Sequence, residues 1–209
     1  MKILISGGCK NGKSYYAQRL AMAQKMPNKR KSESLYYIAT MKPVDSEDDE
    51  RILRHRRERE GWGFITIEQA VDVEMILDKC DHNASFLLDS LTALLANEMF
   101  LPPGEPGGVP NDTPEGRFNE YAADKIITAL PRITNNIRNI VIISDYIYSD
   151  ALLYDPLTEK YRKSLAEIDR AAAANCDIVL EAAYTNVIAH KGKDLFDRLS
   201  LWSLNEKIP

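Results

Sequence analysis

The eight residues at positions 7–14, which read GGCKNGKS, constrain the fold of this chain more than any other stretch. They come just after the apolar run KILI (2–5), and a helical pattern begins at 13 and continues to 25. The spacing is G-x-x-x-x-G-K-[ST], which is typical of a phosphate-binding loop between a strand and a helix. An ordinary strand–turn–helix connection is the alternative interpretation, but the flanking elements are those that the motif requires.

The residue types in this loop, called the phosphate loop below, each have a physical reason. Glycines let the backbone curl so that N–H groups converge on one phosphate, and the start of the helix adds its positive end. Lys13, which we expect to be exposed, is placed to reach the β- and γ-phosphates, and the Ser14 hydroxyl is placed to hold Mg²⁺. The sequence thus predicts binding of ATP or GTP with Mg²⁺. The predicted nucleotide-binding residues of the loop are Gly7, Gly8, Cys9, Lys10, Asn11, Gly12, Lys13 and Ser14.

Short strand-like runs alternate with longer helical stretches through the rest of the chain. Strands are predicted at 2–5, 35–40, 64–68, 85–89, 139–144, 177–182 and 186–191, and helices at 13–25, 47–60, 91–100, 115–137 and 157–175. Several runs are continuously apolar, as in strands that are covered on both faces. The alternation predicts an α/β, three-layer fold of the P-loop NTPase type with a mostly parallel sheet. The last two runs are separated by only a few residues, so we expect an edge hairpin there.

Length and composition bound the classes of protein that remain. A chain of 209 residues is expected to form one domain over 1–209. The net charge is −4 and no long basic tract appears, so nucleic acid is not expected as a partner. The apolar runs fall well short of the roughly 18 residues of a membrane helix. Three widely spaced cysteines suit the cytoplasm and form no disulfide or zinc framework.

Two segments depart from the regular alternation. Residues 101–116 contain five of the ten prolines and four of the ten glycines, so neither a helix nor a central strand is expected there. This insertion is either a mobile lid or a solvated connection without a function. The stretch after Gly192, residues 193–209, predicts a short amphipathic tail helix.

A carboxylate at the end of a second buried strand is expected in a phosphate-loop protein, because it completes the Mg²⁺ shell. The run SFLLD (85–89) ends in Asp89. Asp89 is interpreted as this catalytic and metal-binding residue. The alternative is that Asp89 only caps the following helix, although Ser90 or Thr92 could take that part.

A charged stretch at 45–60 predicts a helix that is acidic first and basic later. Arg51, His55 and Arg59 have i, i+4, i+8 spacing and would form one stripe on it. Two guanidiniums beside an imidazole make an anion site and disfavour the imidazolium, which leaves His55 able to act as a nucleophile. The simpler interpretation is a solvated helix with ion pairs. His82 is expected at the surface, and His190 is expected to be structural.

Together these motifs resemble the family of bifunctional adenosylcobinamide kinases and adenosylcobinamide-phosphate guanylyltransferases of cobalamin assembly. The similar stretches occur in order between residues 2 and 192. They are GGCKNGKS (7–14), YYIAT (36–40), RILRHRREREGW (51–62), LLDSLTALLANEMF (87–100), YR (161–162) and AAAANCDIVL (171–180).

The resemblance implies a P-loop fold, commonly assembled as a trimer, that phosphorylates adenosylcobinamide with ATP or GTP. It further implies transfer of GMP from GTP through a guanylylated histidine, which falls on His55. Lys13 and Ser14 fall on the phosphate loop, and Asp89 on the carboxylate of the second motif. Arg51, Arg59 and Trp62 fall on the positions around the histidine and are expected to bind nucleotide.

The chain departs from the family pattern after the strand at 139–144. The family has an Asn-Glu-Val-Gly-x-Gly loop there, whereas this chain has Tyr146 for the glutamate and Tyr148 and Asp150 for the glycines. Farther on, an Asn-Gln pair becomes Asp169-Arg170. Two other functions therefore stay open: a P-loop kinase or nucleotidyltransferase that acts on another small acceptor, and a nucleotide-binding protein that has lost one or both activities.

Overall fold

The structure is a computed structural model that describes residues 1–25, 34–43, 50, 52–53, 56–57, 59–101, 117–184 and 186–205. Its strands are β1 (Lys2–Gly7), β2 (Leu35–Ala39), β3 (Phe64–Glu68), β4 (Ser85–Asp89), β5 (Phe100–Leu101), β6 (Arg117–Phe118), β7 (Asn139–Asp145), β8 (Ile178–Ala183) and β9 (Asn186–Lys191). Its helices are α1 (Lys13–Lys25), α2 (Ile76–Lys79), α3 (Leu91–Met99), α4 (Ala122–Asn136), α5 (Pro156–Asn175) and α6 (Lys193–Asn205). A short 3₁₀ turn, Val73–Met75, precedes α2.

Seven strands form one sheet in the order β3-β2-β4-β7-β1-β8-β9. The neighbouring pairs from β3 through β8 in this sheet are parallel, and β9 pairs antiparallel with β8. The predicted α/β fold with a mostly parallel sheet and an edge hairpin is therefore confirmed. The parallel arrangement brings the carboxyl ends of β1, β4 and β7 to one edge, where ligands of open α/β sheets bind.

Helices cover both faces of the sheet and give three layers. On one face Leu4 and Ile142 pack in a cluster with residues of α3, α4 and α5. On the other face Ile3, Ile5 and Ile143 pack with residues of α1. Neighbouring residues of β1 thus belong to opposite clusters, because side chains alternate along a strand. Burial on both faces explains why these strands are continuously apolar.

Local capping explains where two helices begin. The Ser90 hydroxyl accepts a hydrogen bond from the Ala93 N–H (3.3 Å) at the start of α3. Asp155 caps α5 by accepting from Leu157 N–H and Thr158 N–H, and Pro156 occupies the first turn. Ser90 therefore does the capping that was the alternative interpretation of Asp89.

Several predicted boundaries were wrong. The helix predicted at 115–137 begins at Ala122, because Arg117 and Phe118 form β6 and pair antiparallel with β5. The helix predicted at 47–60 ends before residue 59. Residues 50, 52–53 and 56–57 are helical, but residues 59 and 60 lie in a turn. Residues 102–116 of the insertion and residues 206–209 of the tail lie outside the described residues, and α6 confirms the tail helix as far as Asn205. In the ranges that the structure covers, no helix is long and apolar enough to cross a membrane.

Candidate nucleotide site

The phosphate loop connects β1 to α1 at the carboxyl edge of the sheet. A side chain at Gly7 would meet Asn11 Nδ2 at 2.5 Å and the Ala182 carbonyl oxygen at 2.6 Å, so only glycine fits. Lys10 and Gly12 both have positive φ, 55° and 85°. Asn11 fixes the turn, because its Nδ2 donates to Ala182 O (2.6 Å) and its Oδ1 accepts from the Lys13 N–H (3.2 Å). The loop is thus tied to β8 as well as to β1.

Lys13 is buried, with 5% of its surface exposed, and the expectation of an exposed lysine was wrong. Its Nζ donates to the Gly8 carbonyl oxygen (2.9 Å) and forms an ion pair with Asp145 Oδ1. Asp145 ends β7, the strand beside β1 in the sheet. The ammonium therefore points back over the loop, toward the position that a bound phosphate takes in a loop of this kind.

Asp89 ends β4, one strand beyond β7, and its Oδ2 accepts a hydrogen bond from the Tyr37 hydroxyl (2.7 Å). Ser14 lies in the first turn of α1 and is partly exposed. Among the described residues there is no cluster of three or more His, Cys, Asp or Glu side chains that could hold a metal by themselves. Mg²⁺ commonly uses one or two protein oxygens and completes its shell with phosphate and water, so Ser14 and Asp89 fit it chemically.

A cavity of about 790 Å³ opens beside Asp89, at the carboxyl ends of β2 and β3. The Arg59 guanidinium lies over the Tyr37 ring, 3.5 Å from the centroid, and is buried with 7% exposure. Its Nη1 has no hydrogen-bond partner in the described part of the chain. A buried guanidinium without a full set of acceptors is suited to an anionic ligand. Arg56 and Lys79 add positive charge to the lining of the same cavity.

The other residues of the predicted histidine stripe are only partly placed. His55 and Arg51 lie outside the described residues. Arg59 follows the helical residues in a turn, where its N–H donates to the Arg56 carbonyl oxygen (3.2 Å). Trp62 is buried and packs edge-on against Tyr15 (5.7 Å between ring centroids), which joins this turn to α1. The structure thus brings Arg59 and Trp62 to the same side of the sheet as the phosphate loop.

Residues 146–155, called the tyrosine segment below, follow β7 and are held by side chains of α5. The Tyr148 hydroxyl donates to Asp169 Oδ2 (2.8 Å), and Arg162 donates to Asp150 Oδ1 (2.9 Å) and to the Ile147 carbonyl oxygen (3.1 Å). Burial raises the pKa of Asp169, and repulsion from Asp145 adds to this while the Tyr148 hydrogen bond opposes it. Burial likewise raises the pKa of Tyr148, and the charge of Asp169, which accepts the Tyr148 hydrogen bond, raises it further.

The hydrogen-bond partners of the other two histidines belong to elements outside the phosphate loop. His82 is partly buried, and its Nε2 lies 2.7 Å from the Leu77 carbonyl oxygen. His190 on β9 lies 2.8 Å from Glu181 Oε2 and is about half exposed.

Two residues of the candidate site were not among the predicted site residues. Tyr37 links Arg59 to Asp89, and Asp145 pairs with Lys13. Asp145 carries the same signal as Asp89, a carboxylate directly after a buried parallel strand, and could have been found in that way. Tyr37 gives no such signal, because an aromatic residue in a strand is most often core.

A phosphate loop at the carboxyl edge of a mostly parallel sheet defines the class of proteins with a P-loop NTPase-type fold. Within that class the chain belongs to the cobinamide kinase / cobinamide phosphate guanyltransferase family, whose model matches residues 3–185. The resemblance seen in the sequence motifs is thereby confirmed.

One curated relative is the bifunctional adenosylcobalamin biosynthesis protein CobU of Escherichia coli strain K12. It is 34% identical over 101 residues, which are 48% of this chain and 51% of that protein. The chain thus spans about half the length of the curated relative that it matches. A solved structure from a structural study of Pyrococcus horikoshii OT3 covers 91% of this chain and 85% of its own, at 11% identity and a TM-score of 0.40. That likeness is too weak to support a conclusion about fold or function.

Proposed function

We propose that this chain is a bifunctional transferase that phosphorylates adenosylcobinamide and then transfers GMP from GTP to adenosylcobinamide phosphate. The observation that carries the proposal is the position of Lys13, at the start of α1 and directed over the phosphate loop, in a chain of the cobinamide kinase / cobinamide phosphate guanyltransferase family. We take residues 1–209 as one domain that contributes both activities.

In the proposed phosphoryl transfer, the phosphate loop binds the triphosphate of ATP or GTP. Lys13 contacts the β- and γ-phosphates, and backbone N–H groups of Gly8 to Gly12 surround the β-phosphate. The acceptor hydroxyl oxygen attacks the γ-phosphorus, the bond to the nucleoside diphosphate breaks, and the hydroxyl proton passes to solvent. Ser14 and Asp89 are the residues that would hold Mg²⁺, which neutralises phosphate charge as it develops in such a transfer.

In the proposed guanylyl transfer, a ring nitrogen of His55 attacks the α-phosphorus of GTP and pyrophosphate leaves. A phosphate oxygen of the acceptor then attacks the same phosphorus, the nitrogen–phosphorus bond breaks, and His55 is regenerated. The buried Arg59 guanidinium lines the cavity beside Asp89, and its Nη1 has no hydrogen-bond partner among the described residues, which supports an anion site near the stretch that carries His55. We assign Arg51, Arg59 and Trp62 to this nucleotide site.

The proposal extends to partners and place of action. A corrinoid is the proposed acceptor, and a homotrimer is the proposed assembly, both from the family. The cytoplasm is the proposed compartment, which agrees with Cys9, Cys80 and Cys176 being free thiols.

Labelling with GTP that carries phosphorus-32 at the α-phosphate tests the guanylyl transfer. We expect a covalent adduct on the chain that is labile in acid and stable in base, as for a phosphoramidate. Adenosylcobinamide phosphate should discharge the label into a small-molecule product. A chain that binds Mg-GTP but forms no adduct would contradict this half of the proposal and favour a nucleotide-binding protein without the transfer.

A second candidate is a kinase or nucleotidyltransferase that acts on another small acceptor. The tyrosine segment favours it, because Tyr148 and Asp150 stand where the family has glycines and are held by Asp169 and Arg162. Larger side chains in fixed positions reduce the room beside the phosphates. A panel of alcohol and phosphate acceptors, run beside adenosylcobinamide, separates the two candidates by which acceptor gives the higher kcat/KM.

A further inference from the structure

The side-chain carboxylate of Asp145 lies beside the phosphate loop, at the proposed triphosphate site. It pairs with Lys13, the residue that is expected to neutralise the β- and γ-phosphates. A nucleoside triphosphate brings up to four negative charges to the same place. The carboxylate therefore competes with the incoming phosphate for the same ammonium group.

The backbone around Asp145 gives the carboxylate little freedom to withdraw. The Asp145 N–H donates to Thr92 Oγ1 (2.8 Å), and the next residue, Tyr146, donates its N–H to the Gly7 carbonyl oxygen (3.2 Å). Asp145 is also in register with Gly7 in the parallel pair of β1 and β7. Asp145 is thus anchored at the end of a strand of the central sheet, beside the phosphate loop. It does not lie in a chain terminus or an exposed turn.

The Lys13–Asp145 pair is largely buried, which strengthens the electrostatic effect of its two charges. The Lys13 side chain is 5% exposed and that of Asp145 is 18% exposed, so water screens the pair less than it screens surface charges. The pair is neutral as a whole. A metal-free triphosphate would meet no net positive charge at this position, and it would be repelled by the carboxylate once Lys13 turned toward the phosphate.

We propose that Asp145 makes this site select the magnesium complex of a nucleoside triphosphate over the metal-free triphosphate. This inference rests on the proposed nucleotide site. Asp145 offsets the charge of Lys13, so the positive charge that the phosphates need has to arrive with them. Lys13 still provides the directed hydrogen bonds, and Asp145 acts as a specificity-determining residue through its effect on Lys13.

The test is a titration of the full chain with ATP and GTP by calorimetry, once with excess Mg²⁺ and once with EDTA. Wild-type and Asp145→Asn are compared, because asparagine has the same shape and can still accept from Lys13 but carries no charge. We expect Asp145→Asn to bind metal-free triphosphate at least about tenfold more tightly than wild-type, and to bind the magnesium complex within about threefold of wild-type.

Glu181→Gln is the matched control. Glu181 lies on β8 beside β1 and contacts Tyr146 (3.3 Å) and His190 (2.8 Å), but it forms no ion pair with Lys13. Its replacement removes one negative charge on the other side of β1, and we expect a change below about threefold. Thermal melting of each variant verifies that it is folded, and Asp145→Ser serves as a second neutral variant if Asp145→Asn melts early.

Unchanged metal-free affinity in the folded neutral variants would overturn the inference and leave the proposed function standing. An equal gain in Glu181→Gln would also overturn it, because the effect would then be general charge and not the Lys13 pair. Failure of the wild-type chain to bind either triphosphate with Mg²⁺ would overturn the inference together with the proposed function.

Discussion

The phosphate loop and the tyrosine segment lie side by side at the carboxyl edge of the sheet and are built differently. The loop consists mainly of small residues, and its shape depends on Gly7, on Asn11 and on positive φ at Gly12. The tyrosine segment depends on long side chains, chiefly the Tyr148–Asp169 hydrogen bond and the contacts of the buried Arg162. We expect the phosphate loop to recognise a phosphate that every nucleotide shares, and the tyrosine segment to vary with the acceptor.

The departures from the family pattern are connected with one another in space. Tyr148, in place of a glycine, donates to Asp169, in place of an asparagine. Asp150, in place of the other glycine, pairs with Arg162. These side-chain contacts indicate a segment with a specific structure. We therefore expect mutations in the loop to change nucleotide binding and mutations in the tyrosine segment to leave it largely intact.

The largest effect is expected at His55. His55→Ala should reduce labelling from α-labelled GTP to background, because no other residue would provide the nucleophile. Binding of Mg-ATP at the phosphate loop should remain within about threefold, since Lys13 lies on a different element. Measuring both quantities on one preparation checks this prediction. A labelled His55→Ala chain would show that a different residue carries the GMP.

Lys13→Ala should weaken Mg-GTP and Mg-ATP binding by about a hundredfold or more, because it removes the charge-assisted hydrogen bonds to the phosphates. It should also lower the melting temperature without nucleotide, since Asp145 is left as a partly buried charge without its cation. Calorimetry and thermal melting measure the two effects.

The double variant Lys13→Ala/Asp145→Asn is the control for the phosphate-loop prediction. It should recover most of the lost melting temperature without recovering nucleotide affinity. Nucleotide stabilisation of Lys13→Ala that equals wild-type would exclude the loop as the triphosphate site.

Arg59→Lys should slow formation of the GMP adduct by roughly tenfold to a hundredfold, because lysine cannot stack on Tyr37 and present a fork of donors to phosphate. Arg56→Lys is the matched control: Arg56 lines the same cavity, but it is more than half exposed and pairs with Glu68. We expect less than a threefold change there. Single-turnover labelling rates of the two variants separate a buried anion site from general positive charge.

The smallest effect is expected from Asp169→Asn and concerns stability alone. Because the folded-state pKa of Asp169 is raised, its ionisation costs free energy in the folded protein as the pH rises above its ordinary range. Asparagine can still accept from Tyr148, so the melting temperature at pH 7 should rise by roughly 2–4 °C for each kcal/mol gained. The gain should vanish below about pH 3, where Asp169 is largely protonated in both the folded and the unfolded state. A gain that is the same at about pH 3 and at pH 7 would show that the charge is not its cause.

Sequence reasoning succeeded where the signal is local. The strands at 64–68, 85–89 and 186–191 and helix α1 have the predicted bounds, since apolar runs and the loop motif determine them. Sequence reasoning failed where the structure depends on residues that are far apart in the chain. Arg117 and Phe118 were predicted to begin a helix, but they pair with β5, which precedes the insertion in the sequence.

The residues of the candidate site also form two groups. Some were predicted from a local motif, and others depend on contacts between residues that are far apart in the sequence. Loop residues from Gly7 to Ser14 follow from one motif, and Asp89 follows from its strand. The burial of Lys13 could not be predicted, because it depends on Asp145, which is 132 residues away along the chain. The stack of Arg59 on Tyr37 also joins separate elements, a turn and a strand.

The most direct test of the account is the product formed from adenosylcobinamide with Mg-ATP and Mg-GTP, identified by chromatography and mass spectrometry. We expect adenosylcobinamide phosphate when ATP is the only nucleotide, and adenosylcobinamide-GDP with release of pyrophosphate when GTP is added. His55→Ala should stop at the phosphate. A wild-type chain that binds both nucleotides but leaves adenosylcobinamide unchanged would contradict the proposed function.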